Sequence, residues 1–279
     1  MKKSLAVVAL AGTFGLGSLT GVGVTKADLE KSSQEQTVMA TNWFQTSAEN
    51  KALQIQTYNQ AAEELQEMAM QDYKVKNGQI QLKKNQIRPA VVLDIDETVL
   101  DNSPHTAWAI KNNAAYPAGW SEWIHMAKAE LIPGSKDFLL AADKLGVEIF
   151  YVSNRTVSEK EDTMKNLNLH GLPNVDDKHV LLKTTTSQKG IRQDEISKTN
   201  KIVMLIGDNA NDLSDAFYKA DLKTRFANVD QIADELGSKY IQLPNPMYGD
   251  WEGAIYNYDF SKTDDQKAAD RYNALKPMK

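Results

Sequence analysis

The chain has 279 residues, 42% hydrophobic and 25% charged, with 32 Lys and Arg against 37 Asp and Glu. This is the composition of a globular protein of one large or two modest domains, and a net charge of −5 offers no basic footprint for a nucleic-acid partner. There is no cysteine, which excludes disulfides, thiolate metal sites, cysteine nucleophiles and a lipidated cysteine anchor.

Lys2 and Lys3 precede a long apolar run from Leu5 to Val24, and Thr25-Lys26-Ala27 sets small residues on either side of Lys26, ahead of a cleavage point after Ala27. This is the pattern of a secretory signal peptide over 1–27, and a retained membrane anchor is the alternative for so long a run. Its removal takes away Lys2, Lys3 and Lys26 and no acid, leaving 29 basic against 37 acidic residues, a charge of −8. The expected location is secreted or extracytoplasmic, at most associated with the cell surface. Residues 28–41 read as a polar, flexible leader. From Asn42 to Gln71 the pattern is helical, with Tyr58, Ala62, Leu65 and Ala69 on one face. Lys74–Arg88 is polar, carries Asn77-Gly78 and ends at Pro89.

A first strand is expected over 90–95. Residues 102–130 carry Trp108, Tyr116, Trp120 and Trp123 and read as short helices with turns at Ser103-Pro104 and Pro117. Ser135–Leu145 is a helix stopped by Gly146. Strands follow over 147–152, 179–182 and 202–206, separated by helices over 158–167 and 187–197. This alternation predicts an α/β fold, a Rossmann-like parallel sheet with helices on both faces, from about residue 89. Residues 42–77 and 102–131 are assigned to a small helical cap.

In such sheets ligands bind beyond the carboxyl ends of the strands. Asp94 and Asp96 follow the first strand, Ser153-Asn154-Arg155 the second, and Asp208-Asn209 the fourth. The string VVLDIDETVLDN, Val91–Asn102, crowds Asp94, Asp96, Glu97 and Asp101 at the end of a buried strand. Unpaired carboxylates are costly there, so a cation must meet them. An EF-hand loop starting at Asp94 needs Gly at its sixth place and Glu at its twelfth, where this chain has Val99 and His105. Surface acids in a turn do not explain the second cluster, Gly207–Asp212, after another buried strand. Two carboxylate clusters at one rim suit Mg²⁺, which takes oxygen ligands at about 2.1 Å. A phosphate dianion approaching them needs that ion and fixed cations, for which Arg155, Lys189 and Arg192 are candidates, with Lys189 and Arg192 on one face of the expected helix.

Asp94-Ile95-Asp96-Glu97-Thr98, Ser153, a lysine before the fourth strand and Gly207-Asp208-Asn209 with Asp212 resemble the four motifs of haloacid dehalogenase superfamily phosphatases. DIDETVLDNSP, the GDN block with Asp212, and LPNPMYGDWEG are similar to the class C acid phosphatases, bacterial enzymes with four catalytic aspartates. The resemblance runs from about Asn42 to the C-terminus. Departures are the missing lipobox cysteine, His105 in place of the usual Tyr, and Ala210 and Leu213 in place of Leu and Phe.

The resemblance implies an Mg²⁺-dependent phosphomonoesterase, a broad acid phosphatase favouring nucleoside monophosphates, and makes a homodimer plausible. Asp94 would be the nucleophile, forming an aspartyl-phosphate, and Asp96 the acid and base. Asp94, Asp96 through its backbone carbonyl, Asp208 and Asp212 would hold the metal. Ser153 and Lys189 would hold the phosphoryl oxygens, with Lys183 the alternative lysine. Asn154, Arg155, Trp120 and Tyr248 would contact substrate, the two aromatics by sandwiching a base. Rival readings are a phosphotransferase using the same intermediate and a surface ligand-binding protein on a retained phosphatase fold.

Overall fold

The computed structural model describes residues 37–278, so the expected signal peptide and residues 28–36 of the expected leader lie outside the described residues. A helix, α1, covers 37–46, so residues 37–41, expected in the flexible leader, are helical. Ser47 then breaks the expected single helix: its extended backbone ends one helix, and its side chain accepts the Asn50 N–H at 3.0 Å to cap the next, α2, Ala48–Asp72.

The segment read as a polar connection is a hairpin of β1, Lys74–Lys76, and β2, Gln79–Gln81. Asn77 and Gly78 both have positive φ, 54° and 75°, as a two-residue hairpin turn requires.

Next come β3, Arg88–Leu93, and β4, Leu100–Asp101. Helices α3, Ser103–Lys111, and α4, Trp120–Met126, follow. Strand β5, Glu130–Leu131, pairs antiparallel with β4. Residues 102–129 are thus an excursion whose two ends are tied together at its base. The core then alternates α5, Ser135–Leu145; β6, Glu148–Thr156; α6, Lys160–Leu169; β7, Val180–Lys183; α7, Gly190–Ser197; and β8, Asn200–Gly207. After it come α8, Ala210–Leu213; α9, Leu222–Gln231; β9, Tyr240–Gln242; α10, Asp250–Gly253; and α11, Asp264–Asn273.

The sheet has the order β7-β6-β3-β8-β9 and all its pairings are parallel. Alternation along the strands sends Val91, Leu93, Ile149, Tyr151, Met204 and Ile206 to one face, with Phe138 and Leu139 of α5. Ala90, Val92, Phe150, Val152 and Leu205 point to the other, against Ile196 and Leu213. Helices cover both faces, as expected of a sheet buried on both sides.

Helix α2, expected in the cap, also packs against the sheet. Its Tyr58, Ala61 and Leu65 lie in the same buried cluster as Val91 and Leu93, because its apolar stripe is needed to cover the sheet. Removing the Leu65 side chain to alanine would cost about 2–5 kcal/mol. The strand order sets β3 between β6 and β8, so their carboxyl ends open side by side.

Candidate active site

Asp94 follows β3 directly, and its N–H donates to the Ile206 carbonyl at 3.0 Å, so the turn out of β3 stays pinned to β8. The Asp94 carboxylate is in ion contact with Lys189 Nζ, which also lies 2.7 Å from Asp212 Oδ1. Lys189 is buried, at 4% exposure, and takes the N-cap position of α7. It stands one position before the first residue of α7, with helical backbone angles and three residues ahead of Arg192. Gly190 is required beside it: a Cβ there would meet Asp215 Oδ2 at 2.2 Å. Lys183 ends β7, and it is Lys189 that meets the carboxylates.

Asp212 is buried in the first turn of α8, where its Oδ2 accepts the Asn209 N–H at 3.0 Å. Gly207 lets that turn come close, since a Cβ there would stand 2.3 Å from the Asp212 Cβ. Asp208 is held on three sides. Thr98 Oγ1 donates to its Oδ1 at 3.0 Å, Asn245 Nδ2 to its Oδ2 at 2.8 Å, and Gln242 Nε2 to its carbonyl at 2.6 Å.

Asp94, Asp208 and Asp212 each bring a carboxylate oxygen within 4.8 Å of the others. Burial pushes Asp94 well above the usual carboxylate range; Lys189 pulls it down, and the neighbouring aspartates push it up again. Burial, then Asp212, raises Asp208 to about 7. Burial alone would lower Lys189, but Asp212 and Asp94 outweigh it and raise it. One ammonium does not balance three carboxylates in so dry a place. An all-oxygen donor set with surplus negative charge fits a hard divalent cation.

Asp96 stands apart from that set by its side chain. Oδ1 accepts from Asn102 Nδ2 at 2.8 Å and Arg155 Nε at 2.9 Å, and Oδ2 from Ser153 Oγ at 3.0 Å. Ser153, expected on the phosphoryl oxygens, is buried against Asp96 here.

Arg155, expected as a substrate contact just after the second strand, lies within β6, and its guanidinium is buried. Nη1 donates to Thr163 Oγ1 at 3.1 Å and Nη2 to Asn102 Oδ1 at 3.4 Å. With donors committed to Asp96, Thr163 and Asn102, Arg155 is held on Asp96 and is not a free cation. Arg192 is committed too, through Nη1 to the Ser153 carbonyl at 2.5 Å and Nη2 to Asn154 Oδ1 at 2.7 Å. Asn154 is exposed.

Trp120 opens α4, edge-on to His105 at 5.2 Å between ring centroids, with Arg155 Cζ 5.8 Å from its own centroid. Ser121 Oγ reaches Glu159 Oε1 at 3.2 Å, and Trp123 Nε1 donates to Asn102 Oδ1 at 2.8 Å, tying α4 to the core side of the site. Tyr248 is 37% exposed in the segment after β9.

The sequence assigned no site role to Asn102, Glu97, Gln242 or Asn245. Glu97 is fully buried with φ 55°, and its Oε1 accepts the Asn102 N–H at 2.7 Å, fixing the residue that holds Asp96. The signal available for Asn245 was its place in LPNPMYG, just after a strand that itself went unread.

The profile of the HAD superfamily, subfamily IIIB (acid phosphatase), matches residues 18–251. The chain belongs to this family. It is 40% identical to the class C acid phosphatase from Bacillus anthracis over 89% of this chain and 100% of that one, with a TM-score of 0.81. The crystal structure of class C acid phosphatase from Bacillus anthracis with tungstate bound matches at 39% identity over the same shares, with a TM-score of 0.79. The protein is accordingly a phosphomonoester hydrolase of the acid phosphatase type, on a parallel sheet as expected, to which β9 adds a fifth strand. HAD phosphatases generally use a divalent metal, and in this acid phosphatase the Asp94, Asp208 and Asp212 cluster is where one can bind.

Proposed function

We propose that this acid phosphatase is a Mg²⁺-dependent enzyme that works outside the membrane on nucleoside monophosphates, through a phosphoryl intermediate on Asp94. The observation that carries the reading is the cluster at the end of β3: Asp94 and Asp212 share Lys189 Nζ, with Asp208 inside the same 4.8 Å group. Asp94 attacks phosphorus, and the bond to the leaving oxygen breaks as Asp96 gives that oxygen a proton. A water then attacks the aspartyl-phosphate, Asp96 takes its proton, and phosphate leaves with Asp94 restored. Asp94, Asp208, Asp212 and the Asp96 carbonyl would hold Mg²⁺, which supplies neutralisation of the transferring phosphoryl group. Lys189 adds a fixed positive charge at the same place, and Ser153 keeps Asp96 in line.

Tungstate in the Bacillus anthracis relative is a phosphate-like oxyanion, which supports an oxyanion pocket of this kind here. The half-exposed Tyr248 and the cap tryptophan Trp120 support recognition of a flat base. The apolar N-terminal run supports export, and the resemblance supports a homodimer. The test is hydrolysis of p-nitrophenyl phosphate before and after EDTA, with Mg²⁺ added back, in wild type and Asp208→Ala. Wild type should lose activity to EDTA and regain it with Mg²⁺. Asp208→Ala should regain little; full recovery in that variant would put the cation elsewhere.

A further inference from the structure

Asp208 is not oriented by its own loop alone. Its two carboxylate oxygens carry one donor each, from segments on either side of it in sequence. Thr98 Oγ1 takes Oδ1 from the turn after β3, and Asn245 Nδ2 takes Oδ2 from the segment after β9. Each oxygen keeps a further lone pair for a cation.

Asn245 does a second thing with the same amide. Its Oδ1 accepts the Met247 N–H at 2.9 Å, which folds the backbone leading to Tyr248. Met247 is buried in the main core cluster, while Tyr248 is exposed. The segment is fastened to the β8–α8 turn on either side of this point. Leu243 N–H donates to the Gly207 carbonyl at 2.8 Å, and Asn211 Nδ2 donates to Asp250 Oδ2. Among the described residues, Asn245 is therefore the side chain that hydrogen-bonds both the Asp208 carboxylate and the backbone leading to Tyr248.

We infer that Asn245 is a positioning residue that orients Asp208 for the cation and joins it rigidly to the Tyr248 segment at the substrate entrance. The inference rests on the cation cluster proposed above. A planar amide with its donor on one group and its acceptor on the other cannot shift for one without moving the other. Outer hydrogen-bond partners of metal ligands commonly change metal affinity by 10–100-fold. Thr98 is the internal comparison: it holds the same carboxylate and has no hydrogen bond to the 245–248 segment.

The experiment is calorimetric titration of Mg²⁺ into EDTA-treated wild type, Asn245→Ala, Thr98→Val and Asp208→Ala, with a thermal melt of each. It is followed by KM for AMP at saturating Mg²⁺. Asn245→Ala should weaken Mg²⁺ binding about 10–100-fold, and raise KM for AMP roughly threefold to tenfold even at saturating Mg²⁺. Thr98→Val should weaken Mg²⁺ comparably and raise KM less. Asn245→Ser stands in if the alanine variant melts early, since its hydroxyl is too short to reach Asp208. Wild-type uptake of Mg²⁺ with the Asn245 variants within twofold of it would overturn the inference and leave the cation cluster standing. Equal KM rises in the Thr98 and Asn245 variants would overturn the joint to Tyr248. A wild type that binds no Mg²⁺, or an Asp208→Ala that binds it as wild type does, would overturn the inference and the cluster reading together.

Discussion

The guanidinium of Arg155 closes on the carboxylate of Asp96, with Nε and Nη2 both 2.9 Å from Oδ1. The residue proposed above as acid and base is thus oriented by a fork that cannot itself lose a proton. Arg155→Lys keeps the charge and loses the fork. It should lower kcat on an alkyl phosphate about 10–100-fold, part of the 10²–10⁴ that general acid catalysis is worth. The loss on p-nitrophenyl phosphate should be smaller, because that leaving group departs without a proton. Equal losses on the two esters would mean that Arg155 only supports the fold.

At the other end of the sheet, Glu148 of β6 ties β8 to the turn that leads into β7. Its Oε1 accepts from Lys178 and from His179 Nε2 at 2.8 Å, and its Oε2 from Asn200 Nδ2 at 2.5 Å. Burial alone would raise its pKa, but these donors outweigh it and hold it at about 2, against an ordinary 4.5. A carboxyl with a lower pKa folded than unfolded stabilises the fold fully above about pH 4.5, and that contribution drains as pH falls toward 2. Glu148→Gln should be less stable by about 1–2 kcal/mol at pH 7, after allowance for solvent screening. The gap to wild type should close as pH approaches 2. Urea midpoints at pH 7, 4.5 and 3 check this, and a gap that ignores pH would assign the effect to packing.

Tyr248 and Trp120 are not equivalent candidates for stacking. Tyr248 is 37% exposed, whereas Trp120 already has the His105 ring on its edge and the Arg155 guanidinium near its face. Tyr248→Ala should raise KM for AMP roughly tenfold, from a stacking energy of roughly 1–3 kcal/mol. Its effect on glycerol phosphate should be small. Trp120→Ala should also lower kcat on both substrates, because it removes a neighbour of Arg155. A Tyr248 variant that loses equally on both substrates would remove the nucleotide preference from the account.

The aspartates were legible because each sits at the end of a buried apolar run, where charge has no packing role. The same logic revealed the parallel sheet, since β3, β6 and β8 are long and buried. The hairpin of β1 and β2 was not legible: each strand centres on a single apolar residue, Val75 or Ile80, too few for a period of two to show. Strand β9 has three residues and reads as loop. The role of Asn102 depends on a turn that Glu97 makes at positive φ, and Asn245 reaches Asp208 from 37 residues away. Arg155 was legible as a cation at the rim, but only the packed structure shows that a carboxylate already claims it.

Asp94 is the residue on which the proposed chemistry depends most directly. Acid-quenched enzyme, caught during turnover of a phosphate-labelled substrate, should carry the label on the peptide containing Asp94. Asp94→Asn should carry none, and its kcat/KM should fall by several orders of magnitude, roughly 10³-fold or more, because an amide forms no acyl phosphate. Label retained in Asp94→Asn, or activity within about tenfold of wild type in that variant, would contradict the account.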